Sequence, residues 1–99
     1  MMTDAELLRQ YADGDQEAFR ELVLCHVNVV YFTALRRTGG QAPRAEEVVQ
    51  DVFVGLTANA RRLRHYSSLV GWLFFATRFA ASKAVRRERR RQRREHEAS

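Results

Sequence analysis

Glu46, Glu47, Gln50 and Asp51 fall close together near the middle of the chain. On a helix they gather on one side, opposite Val48, Val52 and Leu56, which recur at four-residue steps with Val49 and Phe53 beside them. Carboxylates and an amide in this arrangement make either a solvated helix surface or a docking face for a basic partner. A second group, Arg61, Arg62, Arg64, His65 and Tyr66, sets cations beside an aromatic ring. That pairing suits an unpaired nucleic-acid strand, where stacking contributes roughly 1–3 kcal/mol per base. A third group runs from Arg86 to Glu95, with seven arginines against two glutamates. Arg86, Arg87 and Arg90 within it, with Arg78 and Lys83 just before it, can reach phosphates.

Other candidate chemistry is thin. Cys25 and His26 are neighbours, and adjacent helical residues point about 100° apart, so they cannot act as nucleophile and base. No glycine-rich phosphate loop, metal-ligand cluster or nucleophile motif is present, and no enzyme activity, metal or cofactor is expected. The cations are sixteen arginines and a single lysine, Lys83. Residues 1–53 carry a net charge of −4 and residues 54–99 one of +9, within a total of +5. One end therefore suits a basic protein surface and the other a polyanion.

These groups need elements to hold them. Ninety-nine residues form one small domain with a single core. Hydrophobic content of 45% is ordinary for a globular protein, and no uninterrupted apolar run approaches the roughly 18–20 residues of a membrane span. One cysteine excludes an internal disulfide and suits a reducing cytoplasm. Few glycines, a lone proline and little strand alternation point to an all-α fold.

Four helices are expected. Thr3 and Glu6 have the form of a capping box that starts a short helix carrying Leu7, Leu8 and Tyr11 and stopping at Gly14. Asp15 is placed to cap a second helix to about Arg37, with Phe19, Leu22, Val23, Val27, Val30, Tyr31 and Ala34 along its stripe. Gly39 and Gly40 end it, and the acidic helix follows Pro43. A loop over about 63–68 leads to a last helix capped by Ser67 or Ser68. There Leu69, Trp72, Leu73, Ala76 and Ala80 form a stripe that Phe74, Phe75 and Phe79 widen, which predicts that protein nearly encircles its first half. Trp72 is expected to be mostly buried near Phe53 and Leu56. The arginine density predicts a tail that is helical only against an anion.

Glu46-Glu47-Val48-Val49-Gln50-Asp51-Val52-Phe53 resembles the "AEDLxQExF" signature of bacterial sigma factors in their second conserved region, most closely the extracytoplasmic-function (ECF) type. The opening "DAELLRQYADGDQEAFRELV" and the later "GWLFFATRFAASKAVRR" are similar to the flanks of that signature, and a subgroup's arginine-rich ending matches through Ala98. The resemblance covers residues 3–98. It implies a compact four-helix bundle, at 1–98, with a long basic C-terminal helix whose extension is 86–99. It further implies a transcription initiation factor whose Glu46, Glu47, Gln50 and Asp51 dock on the clamp helices of the RNA polymerase β′ subunit. By the same resemblance, Arg61, Arg62, Arg64, His65, Tyr66, Arg78, Lys83, Arg86, Arg87 and Arg90 meet the promoter −10 element as it melts, and an anti-sigma protein is a further partner. A linker and a helix-turn-helix domain for the −35 element are expected beyond Ser99. Where many ECF factors have arginine, asparagine and aspartate in the last helix, this chain has Phe75, Phe79 and Lys83. Two rival readings of the residues stay open: a stand-alone basic nucleic-acid-binding protein, and a protein–protein adaptor whose tail only confers solubility.

Overall fold

Three of the helix starts are set by single side chains. The Thr3 hydroxyl accepts from the Glu6 N–H at 3.2 Å, the Asp15 carboxylate from the Glu17 N–H at 3.0 Å, and the Ser68 hydroxyl from the Gly71 N–H at 3.1 Å. Each satisfies a backbone donor that the helix itself leaves unpaired. The computed structural model describes residues 2–66 and 68–99, so Ser67, the other candidate for the last cap, lies outside the described residues. The elements are α1 (Asp4–Ala12), α2 (Gln16–Arg37), α3 (Ala42–Leu63) and α4 (Leu69–Ala98), with no strand among the described residues. The all-α four-helix expectation holds.

α2 closes on glycine. Gly39 and Gly40 have φ of +67° and +77°, a left-handed conformation that side chains resist, and the Gly40 N–H returns to the Leu35 carbonyl at 2.9 Å. α3 then begins without a side-chain cap, with Pro43 in its first turn, where a missing N–H removes no intrahelical bond.

α2 packs against all three other helices, and α3 lies along α4. Leu22, Ala34, Ala45, Val48 and Leu56 are wholly inaccessible, each from a stripe facing the interior. Burying one such leucine or valine contributes about 1.5–3 kcal/mol. The buried hydroxyls of Thr38 and Thr77 donate to the carbonyls of Ala34 and Leu73, at 2.8 and 2.7 Å, so neither is left unsatisfied. α1 is fastened by Leu7 and Leu8 in the core, by Tyr11 against Phe19, and by His26 Nε2 at 2.9 Å from an Asp4 carboxylate oxygen.

α2 reaches the length and composition of a membrane span, with a mean hydropathy of 1.3, a test that the core helix of a bundle also passes. Some expectations are corrected. Two of these concern α4. The first half of α4 is not encircled. Val70, Phe74, Phe75 and Phe79 are all exposed, because Leu69, Leu73, Thr77, Ala80, Ala81 and Ala84 already fill the inward stripe and leave the phenylalanines on the outer side. The arginine tail is helical to Ala98, with Glu88 accepting from Arg91 at 2.7 Å and from Gln92 at 3.3 Å one turn on.

Candidate functional site

On α3 the inward half carries Ala45, Val48, Val52, Phe53, Leu56, Ala60 and Leu63. That burial turns Glu46, Glu47, Gln50 and Asp51 outward together, and all four are exposed. Val54, one turn on, is exposed among them. An apolar centre with a polar rim is the ordinary composition of a protein docking patch. The four residues singled out in the sequence thus share one surface.

The far ends of α3 and α4 are joined by charge. Arg44 in the first turn of α3 reaches Glu88 at 3.4 Å, and Arg91 holds the same carboxylate at 2.7 Å. The hydrogen bond from Arg91, with Arg44 and Gln92 adding to it, keeps the Glu88 carboxyl below its usual range, and Glu88 in turn holds the Arg91 proton more firmly. Arg87 stands 3.9 Å from Asp51, both half-exposed, so this pair is weak. Sequence spacing identified neither contact, since both depend on how two helices lie side by side. They bring the acidic face of α3 and the basic tail into contact at Asp51 and Arg87.

The second group divides. Arg61 and Arg62 sit in the last turn of α3, where Arg62 donates to the Asn59 side-chain oxygen at 2.9 Å. Arg64, His65 and Tyr66 follow in a turn closed by the Tyr66 N–H to the Leu63 carbonyl at 2.9 Å. Arg61, Arg62, His65 and Tyr66 are exposed and Arg64 is half-buried. The Tyr66 ring borders a recess of about 230 Å³ that Thr3, Asp4, Leu8 and Ser68 also line, between the starts of α1 and α4. Tyr66 is not folded into the core.

Along α4 the remaining cations follow in order. Arg78 lies over the Phe74 ring, 5.9 Å from its centre, Lys83 borders a groove between α3 and α4, and Arg86, Arg87 and Arg90 are exposed on the tail. The turn and the tail therefore lie at opposite ends of α4, about 30 Å apart at 1.5 Å per residue. Between them runs the groove, about 500 Å³, lined by Val54, Gly55, Trp72, Phe75, Phe79 and Lys83 among others. Trp72 is half-buried, not mostly buried; it packs against the edge of the core and stands over Gly55, beside Leu56 in the chain. A β-carbon at Gly55 would lie 3.6 Å from the indole, an ordinary contact, so the site is close-packed without being closed. Exposed Phe75, Phe79 and Val54 were not recognised as surface residues. Their only sequence signal is that the inward stripe of α4 is complete without the two phenylalanines.

The family model for sigma-70 region 2 matches residues 22–91, from Leu22 in α2 through α3 and the turn to the middle of the tail of α4. The chain belongs to the sigma-70 region 2 family. As a sigma region 2 domain it belongs to a family of non-enzymatic transcription initiation factors, involved in RNA polymerase binding and promoter −10 recognition. No curated protein and no solved structure matches the chain. In this sigma domain Cys25 is exposed on α2, and the neighbouring His26 is engaged with Asp4, so the two side chains serve no common site.

Proposed function

We propose that this sigma region 2 domain is of the ECF type, docks on the β′ clamp helices of core RNA polymerase through α3, and holds the −10 element open along α4. The observation that carries the docking half is the shared exposure of Glu46, Glu47, Gln50 and Asp51 around Val54, in a chain whose net charge is +5. An acidic face on a basic protein is complementary to a basic partner and repels a nucleic acid, so it marks a protein contact. The DNA half rests on the line formed by the turn, the groove and the tail. Arg64, His65 and Tyr66 take an unstacked base at the recess beside α1, while Arg78, Lys83, Arg86, Arg87 and Arg90 track the phosphates. Binding energy then offsets the cost of unstacking, since the bound bases are no longer free to return to the duplex. A separate anti-sigma protein covering these surfaces would regulate both activities at once. Its work lies where the polymerase is, in the cytoplasm.

The test uses Glu46→Arg with Gln50→Ala. Neither residue has a hydrogen-bond or ion-pair partner among the described residues, so the fold and the Asp51–Arg87 contact stay intact. Reversing one charge and removing an amide at the centre of an interface costs about 2–5 kcal/mol, which is at least a thirtyfold loss of affinity. Capture by core polymerase should fall accordingly, with the circular dichroism spectrum unchanged. Undiminished capture would place the polymerase contact elsewhere on the molecule.

A further inference from the structure

The end of α2 and the middle of α4 enclose a recess of about 580 Å³ that has no part of α3 in its lining. Arg36, Arg37, Ser82, Val85, Arg86 and Arg89 line it. Four guanidiniums thus border one space, two from each helix, and no carboxylate stands among them. None of the four has an ion-pair partner among the described residues, whereas Arg44, Arg87 and Arg91 each have one. Arg36 is steadied where it stands, donating to the Thr33 hydroxyl at 3.4 Å. Arg36 and Arg37 also complement the negative end of α2. That accounts for two of the cations and leaves Arg86 and Arg89, on the other helix, unexplained. Like charges gathered in this way repel one another, and one anion placed among them relieves all four.

The amount of charge selects the anion. A peptide carboxylate brings a single charge. A DNA strand offers one charge for each ~3.4 Å of rise, so only about two fall within a recess of this size. A terminal phosphate carries roughly 1.5–2 negative charges by itself at pH 7, and a phosphate linked to it adds more in the same small volume. Guanidinium forks match phosphate oxygens in pairs, and the Ser82 hydroxyl supplies a further donor. We propose that this recess is an oligophosphate site, which takes a free di- or triphosphate group, either inorganic or at the end of a nucleotide. The site is separate from the groove between α3 and α4, so it does not depend on the strand path proposed above. Arg86 is the one residue common to both. An occupant ties the end of α2 to the tail of α4 across the recess.

The experiment titrates inorganic tripolyphosphate into the whole chain by calorimetry at fixed ionic strength, with sulfate as the reference anion. Wild type should bind one tripolyphosphate per chain, at least tenfold more tightly than sulfate. Arg36→Gln, Arg37→Gln and Arg89→Gln together should lose about tenfold in affinity. A second variant, Arg90→Gln with Arg93→Gln and Arg94→Gln, removes the same charge from the tail outside the recess and should lose less than about twofold. All six side chains are exposed, so neither variant disturbs the core, and circular dichroism checks that both stay folded. ATP identifies the source of the phosphates: tighter binding than tripolyphosphate assigns a nucleotide, and weaker binding assigns the inorganic chain. Equal losses in the two variants would reduce the effect to general attraction by a basic tail and overturn the inference. So would a wild type that binds tripolyphosphate no better than sulfate. A recess variant that loses binding to a short DNA duplex but keeps its tripolyphosphate affinity would make the recess a backbone contact, and the oligophosphate site would be refuted.

Discussion

Leu56 and Trp72 show two grades of burial that the stability of each variant should report separately. Leu56 is wholly enclosed, so Leu56→Ala leaves a cavity with no route to collapse and should cost about 3–4 kcal/mol. Trp72 keeps part of its indole in the groove, so Trp72→Ala should cost less, about 2 kcal/mol, despite the larger side chain. Urea denaturation midpoints at constant slope would measure both. A loss at Trp72 equal to that at Leu56 would show the indole to be a core organiser, not the wall of an open groove. The same pair explains what the sequence could say at this scale. Periodicity assigned Leu56 and Trp72 alike to inward stripes, because it reports the direction of a side chain from its own helix. It carries no information on what the neighbouring helix supplies to cover it. Opposite Trp72 the neighbour supplies Gly55, which has no side chain to close the site. Phe75 and Phe79 escape the pattern for a related reason: apolar character alone does not bury a side chain whose helix already fills its inward stripe.

Among the elements, α4 departs furthest from expectation, and Glu88 accounts for the difference. Local signals placed the helix starts at Thr3 and Asp15 and narrowed the last to two serines, of which Ser68 caps, since a cap involves residues only two or three apart. The continuation of α4 through its arginines was not legible, because Arg44 reaches Glu88 across two helices. Glu88 is the only acid between Arg86 and Arg94, and by pairing with Arg91 and Arg44 it offsets repulsion in the tail while tying it to α3. Its folded carboxyl titrates below the usual 4.5, chiefly through the Arg91 hydrogen bond. A depressed carboxylate contributes stability that is complete above 4.5 and is lost as pH falls through the lower folded value. Glu88→Gln should therefore reduce helix content at pH 7, and the difference from wild type should shrink steadily as pH drops below about 4.5. Arg91 is exposed and Glu88 partly so, so the effect is modest and weakens in high salt. Far-ultraviolet circular dichroism across that range would record it. A difference that persisted undiminished at low pH would mean that the glutamate acts through packing of its stem and not through its charge.

For the whole molecule, the two halves that differ in charge along the sequence are brought side by side in space. α3 and α4 run alongside each other, so the acidic face of α3 lies next to the basic tail, with Asp51 and Arg87 at the border. The molecule extends 54 Å along its long axis against 21 Å across, which the continuous α4 makes possible by carrying its arginines beyond the bundle. A tail held out in this way can meet phosphates while α3 remains free to meet protein. On the proposed function, the tail and the turn make separable contributions to strand binding. Arg90 and Arg94 are exposed and have no ion-pair partner among the described residues, so they are available to phosphate without breaking an internal contact. Arg90→Ala with Arg94→Ala should weaken every single strand by the same factor and reduce the slope of log K against log salt by about 1.4, roughly 0.7 for each lost contact. The Tyr66→Ala variant should do the opposite, leaving the slope nearly unchanged while narrowing the gap between a −10 strand and its scrambled counterpart. Anisotropy titrations at several salt concentrations supply both numbers from one data set. If the arginine variant altered the ranking of sequences, the tail would be contacting bases, and the division between a gripping end and a reading end would not hold.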